Sequence, residues 1–189
     1  MAARRRLTLG AALVLALAGA AFLGQGAWIY AKAQLAPLLV ERAWQRALAG
    51  EPAPKPWPWA DTWPVARLEA PGHGVSLFVL AGSSGRTLAF GPGHEQGTPV
   101  PGIRGNSVIG GHRDTHLGFL RHLRLGDAIQ VQRADGVRVE YRVAQTDVLH
   151  KRDTWVTRND GERRLTLVTC WPFDAIQAGG DERYVVIAE

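Results

Sequence analysis

The sequence predicts a mainly all-β domain carried behind an N-terminal transmembrane helix, and three observations carry that prediction. Short apolar runs alternate with polar residues at period two and are cut by glycine and proline turn signals. Val137, Val139, Tyr141 and Val143 alternate strictly with Arg138, Glu140 and Arg142, and they face the run 128–133 across Ala134-Asp135-Gly136, the pattern of a hairpin. Residues 7–31 contain no charged side chain.

Taken in order, the chain opens on that uncharged segment. At about 1.5 Å per residue it makes roughly 37 Å of helix, enough for a hydrocarbon core of about 30 Å. Arg4, Arg5 and Arg6 precede it and only Lys32 follows closely, so the positive-inside bias leaves the N-terminus in the cytoplasm and the rest outside. A cleaved signal peptide is the competing reading, because Ala31-Lys32-Ala33 resembles a cleavage site. The apolar region of a signal peptide is about 7 to 15 residues, however, so an uncleaved anchor is expected over residues 1–33. Val40, Ala43, Trp44, Ala47 and Leu48 then recur at helical spacing, a short amphipathic helix that lies on the membrane or packs on the domain. Residues 50–64 are too rich in proline for a helix and form a stiff spacer, whose Trp57, Trp59 and Trp63 pin it to the domain or bind something. Residues 34–64 are thus a juxtamembrane helix and linker.

The domain proper spans residues 65–189, about 125 residues, near the commonest domain size. Strands are expected at 65–68, 75–80, 106–110, 128–133, 137–149, 165–170 and 183–187, with a loop at 91–97 and a short helix burying Leu117, Leu120 and Leu123. About eight strands with turn signals throughout predict a closed antiparallel barrel or a sandwich. The formal charge of +5 is no nucleic-acid signal: Arg4, Arg5, Arg6 and Lys32 supply four of it, and residues 1–33 hold no acid. No nucleic-acid partner is expected.

Cys170, the only cysteine, ends the run 165–170 just before Trp171-Pro172. It is either one more small buried residue or a thiol kept for use, since outside the cytoplasm an unpaired thiol with no intrachain partner is exposed to oxidation. Gly110-Gly111-His112-Arg113-Asp114-Thr115-His116 brings two histidines to a strand end, and Arg183 opens the last strand. A cysteine nucleophile needs a base or cation nearby, and a carbonyl under attack needs positive charge where the oxyanion forms; histidine and arginine supply both. The plainer readings are a surface histidine and an Arg183 paired with Asp181 or Glu182. Between the histidines, Asp114 can cap the short helix and leave His116 in its first turn, which favours His112 as the partner of Cys170. A zinc site from His112, His116 and Cys170 lacks the usual Cys-x-x-Cys or His-Glu-x-x-His spacing, and neither metal nor cofactor is expected.

Thr166-Leu167-Val168-Thr169-Cys170, the upstream Gly111-His112-Arg113-Asp114-Thr115 and the downstream Arg183-Tyr184-Val185-Val186 together resemble, in the right order, the signature elements of the sortases. The similarity covers about residues 57–189 and is greatest to sortases of Gram-negative proteobacteria. The resemblance implies an eight-stranded β-barrel and a cysteine transpeptidase. Such an enzyme cleaves an LPXTG-like C-terminal sorting signal of an exported protein through a cysteine thioester and transfers that protein to an amine acceptor. It further implies Cys170 as nucleophile, His112 as general acid/base, Arg183 as oxyanion or substrate clamp, and Thr169 and Trp171 at the substrate. Trp171 stands where many relatives have tyrosine. The location implied is the inner membrane, single-pass, with the catalytic domain periplasmic. A hydrolytic cysteine peptidase would use the same residues but release a free acid, and a membrane-tethered binding module would need none of them.

Overall fold

The computed structural model describes the backbone of residues 2–159, 161–177 and 179–189, and their side chains apart from those of 2–8, 11, 12, 14 and 28–33. One helix, α1 (Ala2–Leu48), opens the chain, and the chain divides into two compact units, residues 1–38 and 39–189. The division falls beside Pro37, the one proline inside α1, where a ring replaces the backbone N–H and the ladder to residue i−4 loses a bond. Among the described residues no helix is long and apolar enough to cross a membrane. The expected span 7–31 draws part of its length from residues 7, 8, 11, 12, 14 and 28–31, whose side chains lie outside the described residues, as do those of the flanking Arg4, Arg5 and Arg6.

In the second unit the last turns of α1 bury the face predicted from spacing: Val40, Ala43, Trp44 and Ala47 are all nearly inaccessible, and the Trp44 ring lies 6.0 Å from that of Phe78. The amphipathic helix therefore packs on the domain. The proline-rich segment follows, with Trp57 edge-on to Phe90 at 4.9 Å, whereas Trp59 stands in solvent.

Eight strands close a barrel: β1 (Pro64–Ala70), β2 (Val75–Ala81), β3 (Gly93–His94), β4 (Asn106–Gly110), β5 (Ala128–Arg133), β6 (Arg138–His150), β7 (Arg164–Cys170) and β8 (Glu182–Ala188). Around the barrel their order is β1-β2-β3-β4-β7-β8-β6-β5. The β5–β6 hairpin pairs as its alternation predicts, Gln132 opposite Arg138. Inward residues of the strands, among them Leu68, Val79, Ile109, Val131, Tyr141, Leu165 and Leu167, fill one core, into which Leu117 and Leu120 also insert. Tyr141 keeps its hydroxyl satisfied there by accepting the backbone N–H of Gly102 at 3.1 Å.

Three sequence expectations need correction. The barrel is mixed rather than antiparallel, because β2 pairs with β3 and β4 with β7 in parallel. A parallel pair needs a long crossover, and the hairpin β5–β6 lies within the one between β4 and β7; period-two patterning carries no record of it. The stretch 91–97, read as loop, contains β3, which is only two residues long. Its backbone approaches β2 so closely that a Cβ on Gly93 would stand 2.2 Å from the Gly82 carbonyl oxygen. Finally, the short helix is a 3-10 turn at Gly118–His122 whose N-cap is Leu117, with no side-chain cap; Asp114 and His116 belong to the turn before it.

Candidate active site

Strands β4, β7 and β8 lie side by side, and their ends at one rim carry the residues singled out in the sequence. Cys170 is the last residue of β7 and is partly exposed. It ends there because Pro172 has no N–H to continue the ladder. Antiparallel register sets Cys170 directly opposite Arg183 of β8. Successive residues of a strand face opposite sides, so Cys170 shares the outer face with Val168, and Arg183 with Val185 and Ile187. Those three apolar residues pack with Val156 and Leu149 into a second, smaller cluster outside the barrel. The thiol and the guanidinium therefore stand together at one end of this apolar cluster, of which Val168 and Leu149 are only partly buried.

On the other side of β7, parallel pairing aligns Gly110 with Val168, and the Gly111 N–H continues it by donating to the Val168 carbonyl at 3.1 Å. His112 stands two residues past the last pair, Gly110 with Val168, as Cys170 does on β7. His112 is exposed, and its own carbonyl accepts the Leu117 N–H at 3.0 Å, which folds the following turn back on itself. Gly111 is required for that turn, since a Cβ would lie 2.7 Å from Cγ of Leu117. Thr169, buried on the inner face, donates its hydroxyl to the Gly111 carbonyl at 2.8 Å. Thr169 thus braces the segment bearing His112 rather than facing outward.

Arg183 does not pair with either neighbouring acid. Its Nη1 donates to the carbonyls of Gly180 at 3.0 Å and Glu182 at 2.8 Å. Lys151 takes the Asp181 carboxylate instead, at 2.6 Å, and that hydrogen bond holds the Asp181 carboxyl below its usual range. Trp171 turns from the thiol into an aromatic group, stacked on Tyr184 with ring centroids 5.7 Å apart and edge-on to Phe173 at 5.6 Å. Arg121 lies over the Phe173 ring at 4.7 Å. His116, four residues past His112, is half-buried; desolvation first, and the nearby His112 second, push its imidazole pKa below the ordinary value. Among the described residues no group of three or more His, Cys, Asp or Glu side chains is placed to hold a metal ion.

Sequence reasoning assigned nothing to Arg113, Phe173 or Tyr184. Phe173 and Tyr184 each sit within three residues of a named site residue, and that adjacency was the only available signal. Arg113 carried the same adjacency, next to His112, but its partners lie more than sixty positions away and leave no trace along the chain.

Fold and site together define a class: a closed mixed β-barrel that sets one thiol, one imidazole and one guanidinium at the ends of three neighbouring strands. The family model described as Sortase domain matches residues 68–189, and the chain belongs to the sortase family. Sortase D of Bacillus subtilis is 29% identical over 120 residues, which cover 63% of this chain and 60% of that relative's length. Among solved structures, the sortase D5 transpeptidase of Clostridium perfringens is similar with a TM-score of 0.59 and 29% identity, covering 67% of this chain and 78% of that one. Sortase C-1 of Actinomyces oris gives a TM-score of 0.58 and 32% identity, covering 66% and 71%.

Proposed function

We propose that this chain is a cysteine transpeptidase of a Gram-negative inner membrane, held by residues 1–33 with its barrel in the periplasm, and that it acts on exported proteins bearing an LPXTG-like C-terminal sorting signal. The observation that carries this reading is the register: Cys170 opposite Arg183 on one side, and on the other the paired segment of Gly110 and Gly111 that leads into His112. An extended peptide laid beside the partly exposed Val168 presents a carbonyl to the thiolate of Cys170. Sulfur adds to that carbon, and the oxygen takes up negative charge within reach of the Arg183 guanidinium, which stays protonated at all accessible pH. Removing one such donor typically costs on the order of 10²-fold to 10³-fold in rate. The C–N bond then breaks, and His112, as imidazolium, gives its proton to the leaving amine. The thioester left on Cys170 is attacked by an acceptor amine, which passes a proton to the imidazole and forms the new amide as the thiolate departs.

Mass spectrometry of the protein after incubation with a sorting-signal peptide tests this directly. An adduct on Cys170 equal to the acyl part of the peptide is expected, converting to an amide when an amine is supplied. Absence of the adduct would overturn the reading, and conversion only to the free acid would make the protein a hydrolytic peptidase.

A further inference from the structure

Arg113 is buried, only 7% exposed, and a side chain that is always charged is almost never buried without a carboxylate partner. Among the described residues it has none. Its Nη2 donates to two backbone carbonyls, Ala175 at 3.0 Å and Gln177 at 2.5 Å, and its Nη1 is buried with no hydrogen-bond partner. Carbonyl dipoles solvate a guanidinium but do not neutralise it. For packing alone an apolar side chain of similar volume would serve as well or better.

Both carbonyls belong to residues 171–181, the loop that leaves Cys170 and returns at Arg183. One nitrogen bonded to carbonyls on either side of residue 176 turns both toward Arg113, and the residue between them turns away. That residue is Ile176, whose side chain is fully exposed, at 102% of its reference area, the most exposed of the large apolar residues described. A single exposed isoleucine on a free loop calls for no explanation. This one is held in place by a buried cation from the segment that carries His112, in the loop that follows Cys170. Ile176 lies in the loop that joins the thiol of Cys170 to β8, so a peptide whose carbonyl reaches Cys170 passes that loop.

We infer that Arg113 is a positioning residue of this site: it clamps the loop after Cys170 so that Ile176 stands as an apolar contact for a side chain of the sorting-signal peptide. The inference rests on the proposed transpeptidation and adds to it a residue that sets substrate affinity. Because Ile176 is fully exposed, removing it costs the fold nothing, so a change in binding is not a change in stability. Arg113→Met keeps the buried volume but loses both carbonyl bonds.

The test is steady-state kinetics of full-length Ile176→Ala, Arg113→Met and the double variant, with a sorting-signal peptide and a separate amine acceptor. Ile176→Ala is expected to raise KM for the peptide about tenfold, the scale for losing a few methylenes from an apolar contact, with kcat and Tm unchanged and with recovery in Ile176→Leu. Arg113→Met is expected to raise the same KM and to speed amide hydrogen exchange at residues 175–177. In its background Ile176→Ala should add little, because the loop no longer presents the side chain. Wild-type peptide KM in Ile176→Ala, or an effect confined to the amine's KM, would overturn the assignment. If Arg113→Met fails to fold, the Ile176→Ala and Ile176→Leu pair still decides it. A wild-type protein that forms no acyl adduct on Cys170 rejects transpeptidation itself; unchanged hydrogen exchange at 175–177 in Arg113→Met rejects the clamp independently of activity.

Discussion

His112 and His116 stand four residues apart in different surroundings. His112 is exposed just past the end of β4, while His116 is half-buried in the turn before Gly118–His122. His112→Ala is expected to abolish transpeptidation while slow alkylation of Cys170 persists, and His116→Ala to cost little activity; peptide turnover and iodoacetamide labelling measured side by side check both. His116 should instead appear in the stability. Its folded pKa lies below the ordinary value of about 6.5, so between those two values the unfolded chain binds more protons than the folded one. Its contribution is therefore fully present above about pH 6.5 and is lost as pH falls through that window. Denaturant midpoints at pH 7.5 and 5.5 should differ more for wild type than for His116→Gln. Both histidines could be picked out in the sequence, because chemistry-bearing residue types are few and these two follow Gly110-Gly111 at the end of a strand-like run. Their burial could not, since it depends on what the turn packs against.

At the scale of elements, the strands with four or more residues were legible and β3 was not. Two residues cannot display a period, and Gly93 and His94 sit among glycines and prolines that signal a loop. Yet β3 closes the barrel between β2 and β4, and β4 is the strand that ends beside His112. Gly93 is there because nothing larger fits: its missing Cβ leaves room for the Gly82 carbonyl. His94 beside it is buried, with Nε2 at 2.9 Å from the Pro99 carbonyl oxygen. Gly93→Ala is expected to lower unfolding free energy by about 1–3 kcal/mol, the usual range for forcing volume into a packed site, and urea denaturation measures it. Because β4 would be displaced with it, transpeptidation should fall even at temperatures where the variant is fully folded.

For the whole molecule, the expectation that residues 7–31 anchor the protein leads to a topological prediction. Alkaline carbonate extraction should leave the full-length chain in the membrane pellet, and protease added to spheroplasts should digest residues 65–189 while an N-terminal tag on the cytoplasmic side survives. Release of a soluble fragment beginning at Gln34 would show a cleaved signal peptide instead. The sequence by itself determined what depends on neighbours along the chain: period-two strands, the β5–β6 hairpin, the apolar face of Val40, Ala43, Trp44 and Ala47, and the residue types able to form a thioester. Tertiary structure alone decided which strands are adjacent. Parallel pairing of β4 with β7 sets Gly110 against Val168 across 58 positions, and the clamp of Arg113 on Ala175 and Gln177 spans 62 and 64. Such contacts leave no local period, because a side chain's spacing along its own strand says which face it occupies and nothing about which strand lies opposite.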